Sequence, residues 1–290
     1  MLADNIEIEA GSITNTSNII GNNVKLTAHD GDIVNTGGGE IYAGQHLQLD
    51  SVGNIRNIGS NIESDGSAVL MAGGNIENIT QSQQHGDSHS YFTTVDKKAT
   101  MRVGGQLVMQ SMGDLINHGA SIESGDLHFE VGGNLQNESI TEQSGLENSG
   151  KNFHYKKRSV SYRPSSITSS GDITGLIAGN FELLGSRISA GGDSSIFVAG
   201  DSHLISQVAS KSVDSYSSSK TTNILGGTNK SSYSHQSLTQ NLQQASLSAG
   251  GKNVLVNNRD QVLYRELRKN VRKCGIRLYR IYYKPCGGCF

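Results

Sequence analysis

A five-residue phrase that returns about every twenty residues constrains this chain more than any other feature. It reads glycine, then Asn, Asp or Ser, then Ile or Leu, then any residue, then asparagine. Its glycine stands at Gly11, Gly31, Gly53, Gly74, Gly113 and Gly133, and its closing asparagine at Asn15, Asn35, Asn57, Asn78, Asn117 and Asn137. The glycines are spaced by about 20, 22, 21, 39 and 20 residues, so one interval is nearly two units long and holds an insertion. Alternating apolar pairs precede the glycine, as in Leu47/Leu49, Ala68/Leu70, Leu107/Met109 and Leu127/Phe129. Alternation with period two marks a strand with one buried face. Ile41, Ile62 and Ile122 mark a further short strand ahead of each pair. One such unit buries too little apolar surface to stand alone, but successive units wound into a coil stack like residue on like about 4.8 Å apart. The chain is therefore predicted to be all-β, a parallel β-helix. A leucine-rich repeat has a similar period but needs an LxxLxL core that is missing here.

Two structural roles follow from the stacking. The six asparagines are expected to form a side-chain ladder along the axis, each amide bonding its neighbour. The six glycines are expected at corners, with positive φ, where a Cβ would clash.

Composition agrees with a repeat rather than a helical or α/β enzyme core: 36 glycines, two prolines, no tryptophan and 34% hydrophobic residues. The net charge of -2 hides a split. Nine of the 24 basic groups but only two of the 26 acidic ones lie from Arg259 onward, which leaves the first 258 residues nine negative charges in excess. All three cysteines, Cys274, Cys286 and Cys289, also lie in that tail, so the body relies on no disulfide or thiolate site. No run approaches the roughly 18 apolar residues of a membrane span, and the first ten residues lack the basic and apolar regions of a signal peptide.

The phrases SDGSAVLMAGGNIENI (64–79), ESGDLHFEVGGNLQN (123–137), RISAGGDSSIFVAGD (187–201) and SLSAGGKNVLV (246–256) resemble haemagglutinin repeats. Such repeats build the stalk of two-partner-secreted adhesins and of contact-dependent growth inhibition exoproteins. The resemblance covers most of residues 5–261. It implies a right-handed parallel β-helix, a place outside a Gram-negative cell as a segment of a longer protein, and an outer-membrane two-partner transporter as export partner. It implies no catalytic residue, cofactor or metal, and no secretion or toxin domain is recognisable. The expected role is a structural stalk that displays contact loops. A nonfunctional remnant of such a gene, or a secreted carbohydrate-active enzyme on a β-helix, are the alternatives. The enzyme needs Asp, Lys or Arg clustered across neighbouring coils, where this chain shows mainly Ser, Asn, Glu and Gln.

Residues 5–262 read as the β-helix, broken by polar insertions near 80–100, 138–170 and 206–244. Insertions in a solenoid emerge as hairpins or loops and often carry the binding face. Candidate contact residues are Tyr91, Phe92, Phe153, Tyr155, Lys156, Lys157, Arg158 and Tyr162, suited to a target-cell receptor, glycan or lipid. The basic run also invites a nucleic-acid reading, which the acidic body disfavours. Lysines guarding an exposed strand edge account for it without a ligand. His85 and His89 around Asp87 lack a third metal ligand at a defined spacing. The Gly191-Gly192-Asp193 step lacks the nine-residue period of calcium-binding rolls. Residues 263–290 abandon the repeat code and read as an aberrant or disordered basic tail; its Cys286 and Cys289 are spaced as CxxC with no histidine nearby.

Overall fold

The computed structural model of the chain describes residues 1–257. They form strands and turns with no helix, as the repeat implies. Each period lays three short strands along the three faces of a coil. One coil runs through Gln106–Ser111 on the first face, Leu115–His118 on the second and Ser121–Ser124 on the third. The chain then climbs to Asp126–Val131, directly over the first strand. Pairing is parallel and in register: Leu107 meets Leu127, Met109 meets Phe129, Asn117 meets Asn137 and Ile122 meets Ile167. The second faces make an 8-stranded sheet. The first and third faces join in a 15-stranded one, because Asn18–Ala28 and Glu40–Ser51 turn the corner between them without a break. The architecture is a parallel β-helix.

Alternation explains the core. Every second residue of each coil strand points inward, and Leu49, Ile55, Ile62, Ile76, Leu115, Ile122 and Leu135 are all buried. Each such side chain contributes about 1.5–3 kcal/mol by leaving water. The stack also balances volume between coils. Phe129 is fully buried because the residue above it is Gly175, where a Cβ would lie 2.2 Å from the ring. A large residue stacked on an absent side chain keeps the core filled without strain.

The corner between the second and third faces decides where the chain leaves the coil. Gly59, Gly119 and Gly185 stand two residues beyond the ladder position and turn this corner with φ of 57, 60 and 56. In the intervening coils Thr80, Ser139 and Ser206 hold the same place, and there the chain departs. The first hairpin comprises Ser82–Gly86 and Ser90–Val95, the second Ile140–Gly150 and Phe153–Arg163, the third Gln207–Thr222 and Thr228–Gln243. All three leave at this corner, and one plain coil separates each from the next. Side-chain hydroxyls hold their bases: Thr80 Oγ1 donates to the Gly119 carbonyl at 2.8 Å and accepts from the Ala99 N–H at 2.9 Å. Ser139 bonds the Gln207 side chain, which ties the bases of the second and third hairpins together.

Candidate contact surface

The asparagine ladder lies just inside the second face. Nδ2 of Asn15 donates to Oδ1 of Asn35, and the chain of amides continues through Asn57, Asn78 and Asn117 to Asn137 at 2.8–3.0 Å. Asn35, Asn57, Asn78, Asn117 and Asn137 are wholly shut off from solvent. Each also donates to a backbone carbonyl across the corner, Asn78 to Ser121 at 2.9 Å for example. A buried amide whose hydrogens and carbonyl are all used costs little and fixes register. The ladder stops where Leu183 stands over Asn137.

The turn glycines require a correction. Gly11, Gly31, Gly53, Gly74, Gly113 and Gly133 all lack positive φ, which occurs instead at Gly37, Gly38, Gly59, Gly86, Gly119, Gly185 and Gly226. What selects glycine at four of the six is the coil below. A Cβ at Gly53, Gly74, Gly113 or Gly133 would lie 2.1–2.4 Å from the side-chain oxygen of Asp32, Asn54, Asn75 or Asp114. That oxygen is occupied: it accepts the N–H of the residue after the glycine, as from Asn75 to Asn54 at 2.8 Å and from Asp114 to Asn75 at 2.8 Å. This is a second ladder, of side-chain carbonyl to backbone N–H, that the sequence reading overlooked. Its signal was the Asn or Asp after every repeat glycine but Gly11.

The three hairpins pair edge to edge in one antiparallel six-stranded sheet that projects from the corner as a fin. Ser90 to Phe92 of the first pair with Leu146 to Ser144 of the second. Phe153 to Val160 of the second pair with Ser217 to Ser210 of the third. Register sorts the candidate residues by side. Tyr91 is level with Gly145, Arg158 and Ser212 across four strands, so Tyr91, Lys156, Arg158 and Tyr162 share one side. Phe92, Phe153, Tyr155 and Lys157 share the other. The ring of Tyr91 covers Gly145, where a Cβ would come within 2.3 Å of it, and Phe153 covers Gly150 in the same way. An aromatic ring over a glycine restores the packing that the missing side chain would have given. Phe92 stacks on His85 with ring centroids 5.3 Å apart and is half exposed, as is Phe153.

The basic run is not at an edge. Phe153–Arg163 is an interior strand, flanked by Ile140–Gly150 and Gln207–Thr222, so its lysines guard nothing. Lys156 instead reaches Glu147 at 3.0 Å and holds that carboxyl below its ordinary range by hydrogen bond and charge. Lys157 and Arg158 are exposed, on opposite sides. His85 and His89 do not converge on a metal. The ring of His85 bonds Thr94, and Asp87 accepts the N–H groups of Ser90 and His89, which hold its carboxyl low and close the first hairpin. Among the described residues no group of three His, Cys, Asp or Glu could hold a metal ion. Cys274, Cys286 and Cys289 lie outside the described residues. The sequence reading missed the third hairpin's contribution, with Tyr233 and Leu238 more than half exposed, Tyr216 somewhat less, and Ile224 and Leu225 bare at its tip.

Comparison with known proteins gives this architecture a lineage. A toxin CdiA of Escherichia coli is 33% identical over 136 residues, 45% of this chain and 4% of that protein. A tRNA nuclease CdiA of Escherichia coli O6:K15:H31 is 30% identical over 178 residues, 58% of this chain and 5% of its own length. A 16S rRNA endonuclease CdiA of Enterobacter cloacae is 30% identical over 124 residues, 41% of this chain and 4% of the relative. The chain thus spans about a twentieth of the length of these relatives. No solved structure matches it. The hemagglutinin repeat matches residues 7–152, half of the sequence and the part that holds both ladders' most regular stretch, and the chain belongs to that family.

Proposed function

We infer that the chain is a length of shaft from a secreted, cell-surface haemagglutinin-like adhesin or contact-dependent inhibition exoprotein, and that its fin is the part that meets the target cell. One observation carries the reading: three separate insertions leave the same corner at alternate coils and merge into a single sheet. Loops that merely decorate a shaft have no reason to share a corner, a phase and a register. Insertions gathered on one side of a solenoid commonly build its contact face. The sides of the fin offer Tyr91, Lys156, Arg158 and Tyr162 on one hand and Phe92, Phe153, Tyr155 and Lys157 on the other, aromatic and cationic groups suited to a receptor or glycan. The shaft reading spans residues 5–262 with insertions near 80–100, 138–170 and 206–244, described as far as residue 257, and the tail expected at 263–290 lies outside the described residues. Membership of the hemagglutinin-repeat family supports export through an outer-membrane two-partner transporter. Among the described residues the coils present ladders of amides and backbone N–H groups, which supports a structural part.

The test replaces each hairpin by the Gly-Ser corner found at Gly59 and Ser60. Circular dichroism is expected to retain the β signature of the solenoid, while binding to susceptible cells falls to background. Undiminished binding by the hairpin-free shaft would refute the reading.

A further inference from the structure

The tip of the third hairpin is built unlike the rest of the molecule. Ile224 and Leu225 are 105% and 94% exposed, the two most exposed large apolar side chains among the described residues. They are held outward by an ordered turn. Asn223 N–H donates to the Gly227 carbonyl at 2.8 Å, Gly227 N–H donates to Oδ1 of Asn223 at 2.6 Å, and Gly226 turns with φ 78. Below the turn Lys220 and Lys230 stand directly opposite one another. Like charges placed so destabilise a strand pair unless an anion joins them. Beside them is a hollow of about 370 Å³ walled by Tyr216, Ser218 and Ser232. No acidic residue occurs from 215 to 257. The longest hairpin thus carries an apolar point and a cationic collar on an otherwise acidic body.

We propose that this tip docks on an anionic lipid bilayer, with Ile224 and Leu225 entering the acyl boundary and Lys220 and Lys230 meeting lipid phosphates. Neither element suffices alone, since a short apolar anchor holds a membrane only with a second, electrostatic signal. Geometry supplies the approach. Sixteen residues per strand carry the tip roughly 50 Å along the hairpin. That exceeds the roughly 8 Å screening length at physiological salt several times over, so the acidic shaft does not repel the surface the tip meets. A second copy of the chain covering the tip is the competing occupant, but two cationic collars brought together would repel.

The inference rests on the contact reading above and adds what one part of the fin contacts. The chain contains no tryptophan, so Leu225→Trp places a single reporter at the tip. On vesicles of phosphatidylcholine with phosphatidylglycerol its emission should shift to the blue and be quenched by brominated lipid, whereas Phe92→Trp on the first hairpin should not respond. Ile224→Ser with Leu225→Ser should weaken partitioning about tenfold or more, as loss of two apolar side chains demands. Lys220→Gln with Lys230→Gln should weaken it about tenfold on the anionic vesicles and leave pure phosphatidylcholine unaffected. All four positions are exposed, and the basic tail is common to every variant, so neither misfolding nor tail charge mimics the pattern. Vesicle binding with no change in the Leu225→Trp signal would overturn the proposal, as would binding undiminished by both double variants. A blue shift that depends on protein concentration without lipid would assign the tip to a second copy and overturn it too. If cell binding still requires the fin after such a result, the contact reading stands; if the fin is dispensable as well, both fall.

Discussion

Asn78 is wholly buried and spends every hydrogen-bonding group of its amide: it accepts from Asn57 and donates to Asn117 and to the Ser121 carbonyl. Asn137 at the ladder's end accepts from Asn117 but has Leu183, not an asparagine, over it, and donates to the Arg187 carbonyl. The two positions look alike in the repeat and differ in their neighbours. Leucine fills the volume of either, so the contrast isolates the polar term. Asn78→Leu strands the buried side-chain carbonyl of Asn117, while Asn57 keeps the Ser60 and Thr100 carbonyls, and is expected to cost about 2–4 kcal/mol, whereas Asn137→Leu extends the apolar stack that Leu183 begins and should cost about 1–2 kcal/mol. Chemical denaturation followed by circular dichroism measures both, and equal midpoints would mean that the ladder acts through shape alone. The asparagines were legible because identical residues recur at one spacing. The φ of the glycines was not, because a glycine that relieves a clash between coils and one that turns a corner look the same in a single repeat unit.

At the scale of elements, the shaft strands were readable from alternation of period two, and their order from the repeat itself. The hairpins were readable only as polar interruptions. Their strands alternate polar with polar, so no buried face marks them, and the first and third differ from one another in length and composition. Side-chain chemistry still closes the first and the third. In the first, Asp87 is an exposed carboxylate that accepts two backbone N–H bonds, from Ser90 and His89, at 2.8 Å each. Those bonds favour the ionised form, foremost that from Ser90, and lower its pKa beneath the ordinary 3.8. A carboxyl lowered on folding lends its full support above the ordinary value and loses it as pH falls through the lowered one. The turn is therefore expected to hold at neutral pH and to loosen below pH 3.8, seen as faster amide exchange at Ser90. Asp87→Asn, which keeps the acceptor oxygen, should hold the turn closed without that pH dependence. The same dependence in Asp87→Asn would place its origin elsewhere, for instance at Glu147 against Lys156.

The whole molecule is governed by one spacing. Coils stack about 4.8 Å apart, and strands within a sheet lie about 4.8 Å apart, so two coils and one two-stranded hairpin have the same height of about 9.6 Å. Hairpins that leave at alternate coils therefore meet edge to edge, and the fin grows at the pitch of the shaft beneath it. This coincidence is invisible in any window of sequence, since it couples segments some fifty residues apart through a distance rather than a residue type. It is also testable. Deleting residues 100–120 joins Ala99 to Ser121, which stands in register over Thr100, and removes the plain coil between the first two hairpins. They would then leave adjacent coils, about 4.8 Å apart, half the width that each needs. Deleting residues 33–54 joins Asp32 to Ile55, in register with Ile33, and shortens the shaft by one coil below the fin. Both variants should retain the circular dichroism of a β-solenoid. Hydrogen exchange should show protection lost at Ser90–Phe92 pairing with Leu146–Ser144 in the first deletion and kept in the second. Protection kept in both would show that the fin finds its register without the shaft, and protection lost in both would show that it answers to stability rather than to pitch.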